Sequence, residues 1–201
     1  MFYRPENGHG LPHNPFKAIV TPRPIAWIST QDQLGTRNLA PYSFFNAVAD
    51  EPPQIVFGSV GKKEDQETSK DTLSNIKETG VFCVNIVSEA LKDAMNKTSM
   101  PHAKDVDEFK AADLHFAECE TIDCPRVLEA PASLECTLSQ IIKLEGKANF
   151  LTIATVTGVH LSDDFITAGI FDLRLYKPLT RLGYRDYAVI KNLFSLRRPK
   201  L

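Results

Sequence analysis

SLECTLSQIIKL (residues 133–144) and NFLTIATVTGVHL (residues 149–161) point to an antiparallel sheet. The first alternates apolar and polar side chains, as a strand with one covered face does. The second is dense in β-branched residues, which pack well on a pleated surface. Only Glu145-Gly146-Lys147-Ala148 separates them, too short a link for anything but a hairpin.

Working outward, VFCVNIV (81–87) is an apolar run suited to a buried strand. Before it, SKDTLSNIKETG (69–80) has a Ser/Asp N-cap signal, Leu73 and Ile76 on one face, and Gly80 placed to stop a helix. After it, Ser88 is placed to cap a second helix through SEALKDAMNKT (88–98). Nearer the N-terminus, β-like segments cover Ile25 to Ser29, Asn38 to Phe45 and Gln54 to Gly58, and QDQLGT makes a hairpin-like turn between the first two. A polar excursion from about Lys97 to Cys124 holds a helical turn or two at DVDEFKAADL, and the tail from Lys191 is basic. Strands with short connections and a few interspersed helices predict a mainly β, antiparallel barrel with peripheral helices.

The chain has 201 residues, 43% of them hydrophobic and 24% charged, with a net charge of −2. That length suits one domain over 1–201. The charge balance disfavours a nucleic-acid surface or an anionic membrane as partner. No apolar run is long enough to span a bilayer, and MFYRPENGHG has neither a basic nor an apolar signal region, so the expected location is cytoplasmic. Four cysteines (Cys83, Cys119, Cys124, Cys136) lack disulfide-framework or zinc spacing and are read as reduced thiols, with no metal site. The five histidines are scattered, and His160 alone lies in a strong strand pattern.

Three segments carry groups that bind anions. TPRPIAWIST (21–30) ends a strand on the hydroxyls of Ser29 and Thr30. NLAPYSFF (38–45) sets Asn38, Tyr42 and Ser43 among apolar residues, and Pro41 marks it as an edge or bulged strand. Ser69-Lys70-Asp71-Thr72 opens a helix, where free N–H groups, the macrodipole and a lysine favour an anion. Each alone also fits a purely local cap or turn. Arg23, between two prolines, fits a solvated surface position, with a phosphate or a partner subunit as the alternative.

The ordered series TPRPIAWIST, GTRNLAPYSFF, PPQIVFGSV, KDTLSNIKETGVFCVNIV and PLTRLGYRDY resembles the flavin reductase-like family with the FMN-binding split barrel, over about Ala18 to Tyr187. The resemblance implies that Trp27, Ile28, Ser29 and Thr30, with Asn38, Ala40, Tyr42 and Ser43, border FMN. Gly58, Ser59 and Val60 would run past the ring, and Lys70, Asp71 and Thr72 would meet the phosphate. Arg181 and Tyr187 match a motif near the site, and His160 has room to lie near a nicotinamide. The implied activity is hydride transfer from NADH or NADPH to flavin, in a homodimer, with a partner oxygenase or other electron acceptor. The alternative is a flavoredoxin-type electron carrier reduced by another protein. FMN suits these residue types, since its phosphate wants N–H groups, hydroxyls and a lysine, and its ring wants apolar faces.

Overall fold

A computed structural model describes residues 1–61, 70–103 and 105–199. A short helix, α1 (Phe16–Ile19), precedes a two-residue strand, β1 (Arg23–Pro24), and then β2 (Ala26–Gln31), which turns back as β3 (Arg37–Tyr42). β4 (Phe45–Asp50) and β5 (Pro53–Val60) form the next hairpin, and helix α2 (Asp71–Thr79) leads to β6 (Val81–Ile86). The excursion holds helices α3 (Lys92–Lys97) and α4 (Glu108–Ala111) and a small hairpin, β7 (Phe116–Glu118) with β8 (Pro125–Val127). The long strands β9 (Ala132–Lys143) and β10 (Asn149–Leu161) follow, then β11 (Ile166–Thr167), β12 (Ile170–Phe171), helix α5 (Leu173–Tyr176), β13 (Leu179–Arg181) and β14 (Tyr187–Val189).

Seven strands form one antiparallel sheet in the order β3-β2-β6-β9-β10-β5-β4. Its two margins, β3 and β4, are consecutive in the chain and separated only by Ser43 and Phe44. The N–H of Gly58 donates to the carbonyl of Phe44 at 2.7 Å, which ties this seam to β5. The sheet therefore curls into a barrel, as expected from strands joined by short connections. β1, β13 and β14 make a separate small sheet.

Inside the barrel, Ile28, Ile55, Phe57, Phe82 and Val84 are buried, and the ring of Phe57 meets Tyr42 and Phe82 with centroids 5.2 and 5.5 Å apart. Ile76 of α2 joins this cluster. A second cluster lies on the outer face under the excursion and the C-terminal strands, where Trp27, Leu39, Met95, Phe109, Val127 and Leu179 pack together. β2 is thus covered on both faces, which explains why Ala26 to Thr30 are all buried, the hydroxyls of Ser29 and Thr30 included.

Several expectations change. The stretch Asn38 to Phe45 is not one strand: β3 ends at Tyr42, and β4 begins at Phe45 on the other margin. β4 has few buried side chains and so no apolar alternation to betray it. The helix after Ser88 is broken into a 3-10 turn (Glu89–Leu91) followed by α3, and the Ser88 side chain makes no cap bond. Lys70 is the N-cap of α2, while Ser69 lies outside the described residues. Gly80 does end α2, at φ 75°, a left-handed conformation that costs a glycine nothing. Arg23 is not a solvated arginine. It is 6% exposed, and its guanidinium donates to the carbonyls of Lys17, Val20 and Leu182. Among the described residues, no helix is long and apolar enough to cross a membrane.

Candidate functional site

β3, the start of α2 and the excursion enclose a cavity of about 620 Å³. Asn38, Ala40 and Tyr42 of β3, with Lys70, Asp71 and Thr72 of the helix start, form one side, and residues 98–103 with Glu108 form the other. A second cavity of about 420 Å³ adjoins it, sharing Pro41, Tyr42 and Ser99, and is walled by Ser43, Arg181, Arg185 and Tyr187. The volume of the first is that of an ordinary small-molecule site.

The larger cavity is built on a hydrogen-bonded frame. Thr72 Oγ1 donates to Asn38 Oδ1 at 2.8 Å, Asn38 Nδ2 donates to Glu108 Oε1 at 3.0 Å, and the N–H of Leu39 donates to Glu108 Oε2 at 3.1 Å. Burial pushes the Glu108 carboxyl up to about 7 despite these donors, and the charge of Asp71 adds to the rise. Lys70 sits with its Nζ 5.7 Å from the centroid of the Tyr42 ring, and burial, then Lys17, lowers its pKa. The Tyr42 hydroxyl lies beside Thr72 and Ser59 in a buried position that pushes its pKa up to about 12. In the second cavity, Arg181 Nη2 donates to the Tyr184 carbonyl at 2.6 Å, and its guanidinium lies 4.3 Å from the Tyr187 ring centroid.

These positions sort the expected site residues. Asn38, Ala40, Tyr42, Lys70, Asp71 and Thr72 come together around the first cavity, and Ser43 and Arg181 around the second. Trp27, Ile28, Ser29 and Thr30 line neither cavity, and each is fully buried. Trp27 Nε1 donates to Thr98 Oγ1 at 2.9 Å, and Ile28 packs inside the barrel. Ser29 Oγ donates to the Pro125 carbonyl and accepts from Asn85 Nδ2, and Thr30 Oγ1 accepts from Asn75 Nδ2. Neither hydroxyl at the end of β2 is turned toward a cavity, because residues distant in the chain already occupy it. Gly58, Ser59 and Val60 run along β10 and stay outside both cavities, with Ser59 behind Tyr42.

Sequence reasoning missed Glu108, His102, Thr98 and Ser99, which the excursion folds back over β3. The usable signal was Asp107, whose carboxylate accepts from the N–H groups of Phe109 and Lys110 and so fixes the start of α4 beside the cavity. His160 is a hydrogen-bonded strand histidine: it lies in β10 against the buried carboxylate of Glu135 and lines neither cavity.

The proton on Glu108 gives a pH signature. Its native pKa lies above the ordinary 4.5, so the folded chain holds a proton that the unfolded chain has lost between about pH 4.5 and 7. Stability from this group therefore falls as pH rises through that window and levels above it. The difference in urea midpoint between Glu108→Gln and the parent should change across that interval. A difference constant from pH 4.5 to 7.5 would contradict the assignment.

A family profile described as "Flavin reductase like domain" matches residues 19–180, and the chain belongs to that family. An uncharacterised protein from Halalkalibacterium halodurans is 36% identical over 187 residues, covering 90% of this chain and 88% of that one. The solved structure of nitrilotriacetate monooxygenase component B from Bacillus cereus superposes with a TM-score of 0.83, at 31% identity, over 94% of this chain and 100% of that chain. A split barrel domain from Shewanella frigidimarina NCIMB 400 superposes with a TM-score of 0.80, at 22% identity, over 92% of this chain and 90% of that chain. The fold is a split barrel.

Proposed function

We propose that the chain is a flavin oxidoreductase that holds FMN along the two adjoining cavities and passes it a hydride from NADH or NADPH. The observation that carries this reading is the placement of Lys70 at the start of α2, facing a cavity whose opposite wall is apolar Met100, Pro101 and Ala103. A site for a molecule with an anionic end and a flat ring needs both kinds of wall. The donor set fits the group: a partly buried ammonium stands at the start of a helix, where the positive end of the macrodipole favours an anion. Bound FMN supplies a ring that accepts hydride from a nicotinamide.

The protein's own residues bind and orient. Lys70 and the first turn of α2 hold the phosphate, Tyr42 and Pro41 wall the join between the cavities, and Arg181 with Tyr187 covers the far end. Glu108, through Asn38 and the Leu39 N–H, keeps β3 straight beside the ligand. Proton delivery from protein is not needed for a hydride step.

Replacing Lys70 with methionine should weaken FMN binding by about 1 to 3 kcal/mol, the range for loss of a charge-assisted hydrogen bond. That is roughly a 5- to 150-fold rise in Kd by titration calorimetry. An unchanged Kd in that variant with a large rise in Arg181→Met would mean that the phosphate sits at the other end. The reaction itself is tested by anaerobic mixing of the FMN-loaded protein with NADH or NADPH, followed at the oxidised flavin band. Bleaching by either supports a reductase, and no bleaching by both leaves the electron-carrier reading. We further place the chain in a cytoplasmic homodimer serving a partner oxygenase or other acceptor, with exposed Phe16, Ile19 and Val20 beside β1 as the apolar surface available for a second copy.

A further inference from the structure

Away from both cavities, the outer face of the barrel gathers three of the four cysteines. Cys83 lies in β6 opposite Ser29 of β2 and Glu135 of β9. The β7–β8 hairpin covers this spot. Its ladder pairs Phe116 with Val127 and Glu118 with Pro125, and the next opposite pair is Cys119 with Cys124, whose backbone N–H and carbonyl join at 3.1 Å. Only this one of the pair's two possible bonds is made, since the Cys124 N–H turns back to the Ile122 carbonyl, and directly opposite residues in antiparallel strands stand about 4.5 to 5.5 Å apart between Cα atoms. A disulfide accepts about 4.4 to 6.8 Å. The register therefore already supplies the spacing that a crosslink needs.

The two thiols are unlike each other. Cys124 is buried, its sulfur set 3.3 Å from the carbonyl of Ser29, whereas Cys119 is partly open to solvent. The neighbouring thiols of Cys124 and then Cys83 hold the Cys119 pKa down at about 5, with His160 helping and Glu135 opposing. The proximity of Cys119, together with burial, raises Cys124 well above the ordinary thiol range, and burial raises Cys83. An accessible thiolate beside a protonated thiol is the arrangement of an attacking sulfur and a resolving one. Among the described residues, no group of three or more His, Cys, Asp or Glu is arranged to hold a metal ion.

We propose that Cys119 and Cys124 form a reversible disulfide site whose oxidant is hydrogen peroxide. The Cys119 thiolate attacks one peroxide oxygen, the S–O bond forms as the O–O bond breaks, and the departing hydroxide takes up a proton to leave as water. Cys119 is then a sulfenic acid. The Cys124 sulfur displaces the hydroxyl group, its own proton leaving with that group as a second water, and the S–S bond closes. Two thiols lose two electrons and two hydrogens, and one peroxide becomes two waters. A dithiol reverses the change by exchange. The inference is independent of flavin binding.

The test treats the reduced full-length protein with one equivalent of hydrogen peroxide, blocks remaining thiols with iodoacetamide, and maps the digest without reduction. The expected product is a crosslink between Cys119 and Cys124 that dithiothreitol removes. In Cys124→Ser, dimedone should trap a sulfenic acid on Cys119, and in Cys119→Ser peroxide consumption should fall by about tenfold or more, as loss of a low-pKa thiolate requires. Should either variant fail to fold, the parent protein alone decides, because at pH 6 iodoacetamide must label Cys119 before the other three thiols. Overturning results are a Cys119–Cys83 crosslink, oxidation elsewhere with Cys119 intact, or both thiols still fully alkylated after peroxide.

Discussion

Replacing Glu135 with leucine is expected to destabilise the fold by about 3 to 5 kcal/mol, the cost of removing one member of a buried, fully paired polar group. Glu135 projects from β9 onto the outer face of the barrel and is completely buried. Its carboxylate accepts from the N–H groups of Glu120 and Thr121, from the Thr121 hydroxyl, and lies against Nε2 of His160. Leucine would take the acceptor from two backbone donors and a half-buried imidazole that all converge on this one buried position. The space above the carboxylate is kept by Gly158, where a Cβ would come within 3.0 Å of Glu135 Oε2. β10 slips register beside it, between Val156 and Gly158, so that the strand bends around the carboxylate. Burial alone would raise the Glu135 pKa, but the bonds from Thr121, Glu120 and His160 outweigh it and hold the group at about 2. Stability from this carboxylate is thus fully present above about pH 4.5 and is lost as pH falls through about 2. Urea unfolding at pH 7 and pH 3 checks both claims. A variant as stable as the parent at pH 7 would refute the first.

Trp27→Ala should cost a similar 3 to 5 kcal/mol, roughly, by opening a cavity on the opposite side of β2 from the barrel interior. The indole is fully buried among Leu39, Met95, Phe109 and Val127, and its N–H is satisfied by Thr98. Trp27 therefore pins the excursion to the sheet. Because Thr98 and Ser99 also wall the larger cavity, the same substitution should loosen that wall. Trp27→Phe separates the two contributions: it keeps most of the packing and removes only the donor to Thr98 Oγ1, which still donates to the Met95 carbonyl, so its loss should be nearer 1 to 2 kcal/mol, the scale of one hydrogen bond plus a small void. Equal losses in the two variants, by chemical denaturation, would show that packing is not what Trp27 provides.

The fold was legible where local pattern and final environment agree. Alternation in β9, the β-branched run of β10 and the stop at Gly80 all report on short-range geometry, and each is where the sequence predicts it. The candidate site was half legible. Asn38, Tyr42 and Lys70 lie on elements whose ends face a cavity. Ser29 and Thr30 look the same in sequence, yet their hydroxyls are taken by Pro125, Asn85 and Asn75, up to 96 residues away along the chain. Polar residues at a strand end cannot announce whether their partner is a ligand or another part of the protein. Glu108 and Arg23 fail to register for the same reason: nothing within a few residues shows that the excursion folds back over β3, or that a guanidinium will collect three carbonyls from segments before and after the barrel.

The meeting of the sheet's two margins at Ser43–Phe44 limits how other molecules can attach. An open sheet invites a foreign strand to extend it by main-chain pairing. Here the margins curl toward each other, and β3 carries Pro41, which has no donor to offer. Neither flank presents a long flat ladder, so strand addition is discouraged on both. Anything that docks must be gripped by side chains, and recognition can then be retuned by single substitutions without disturbing the barrel.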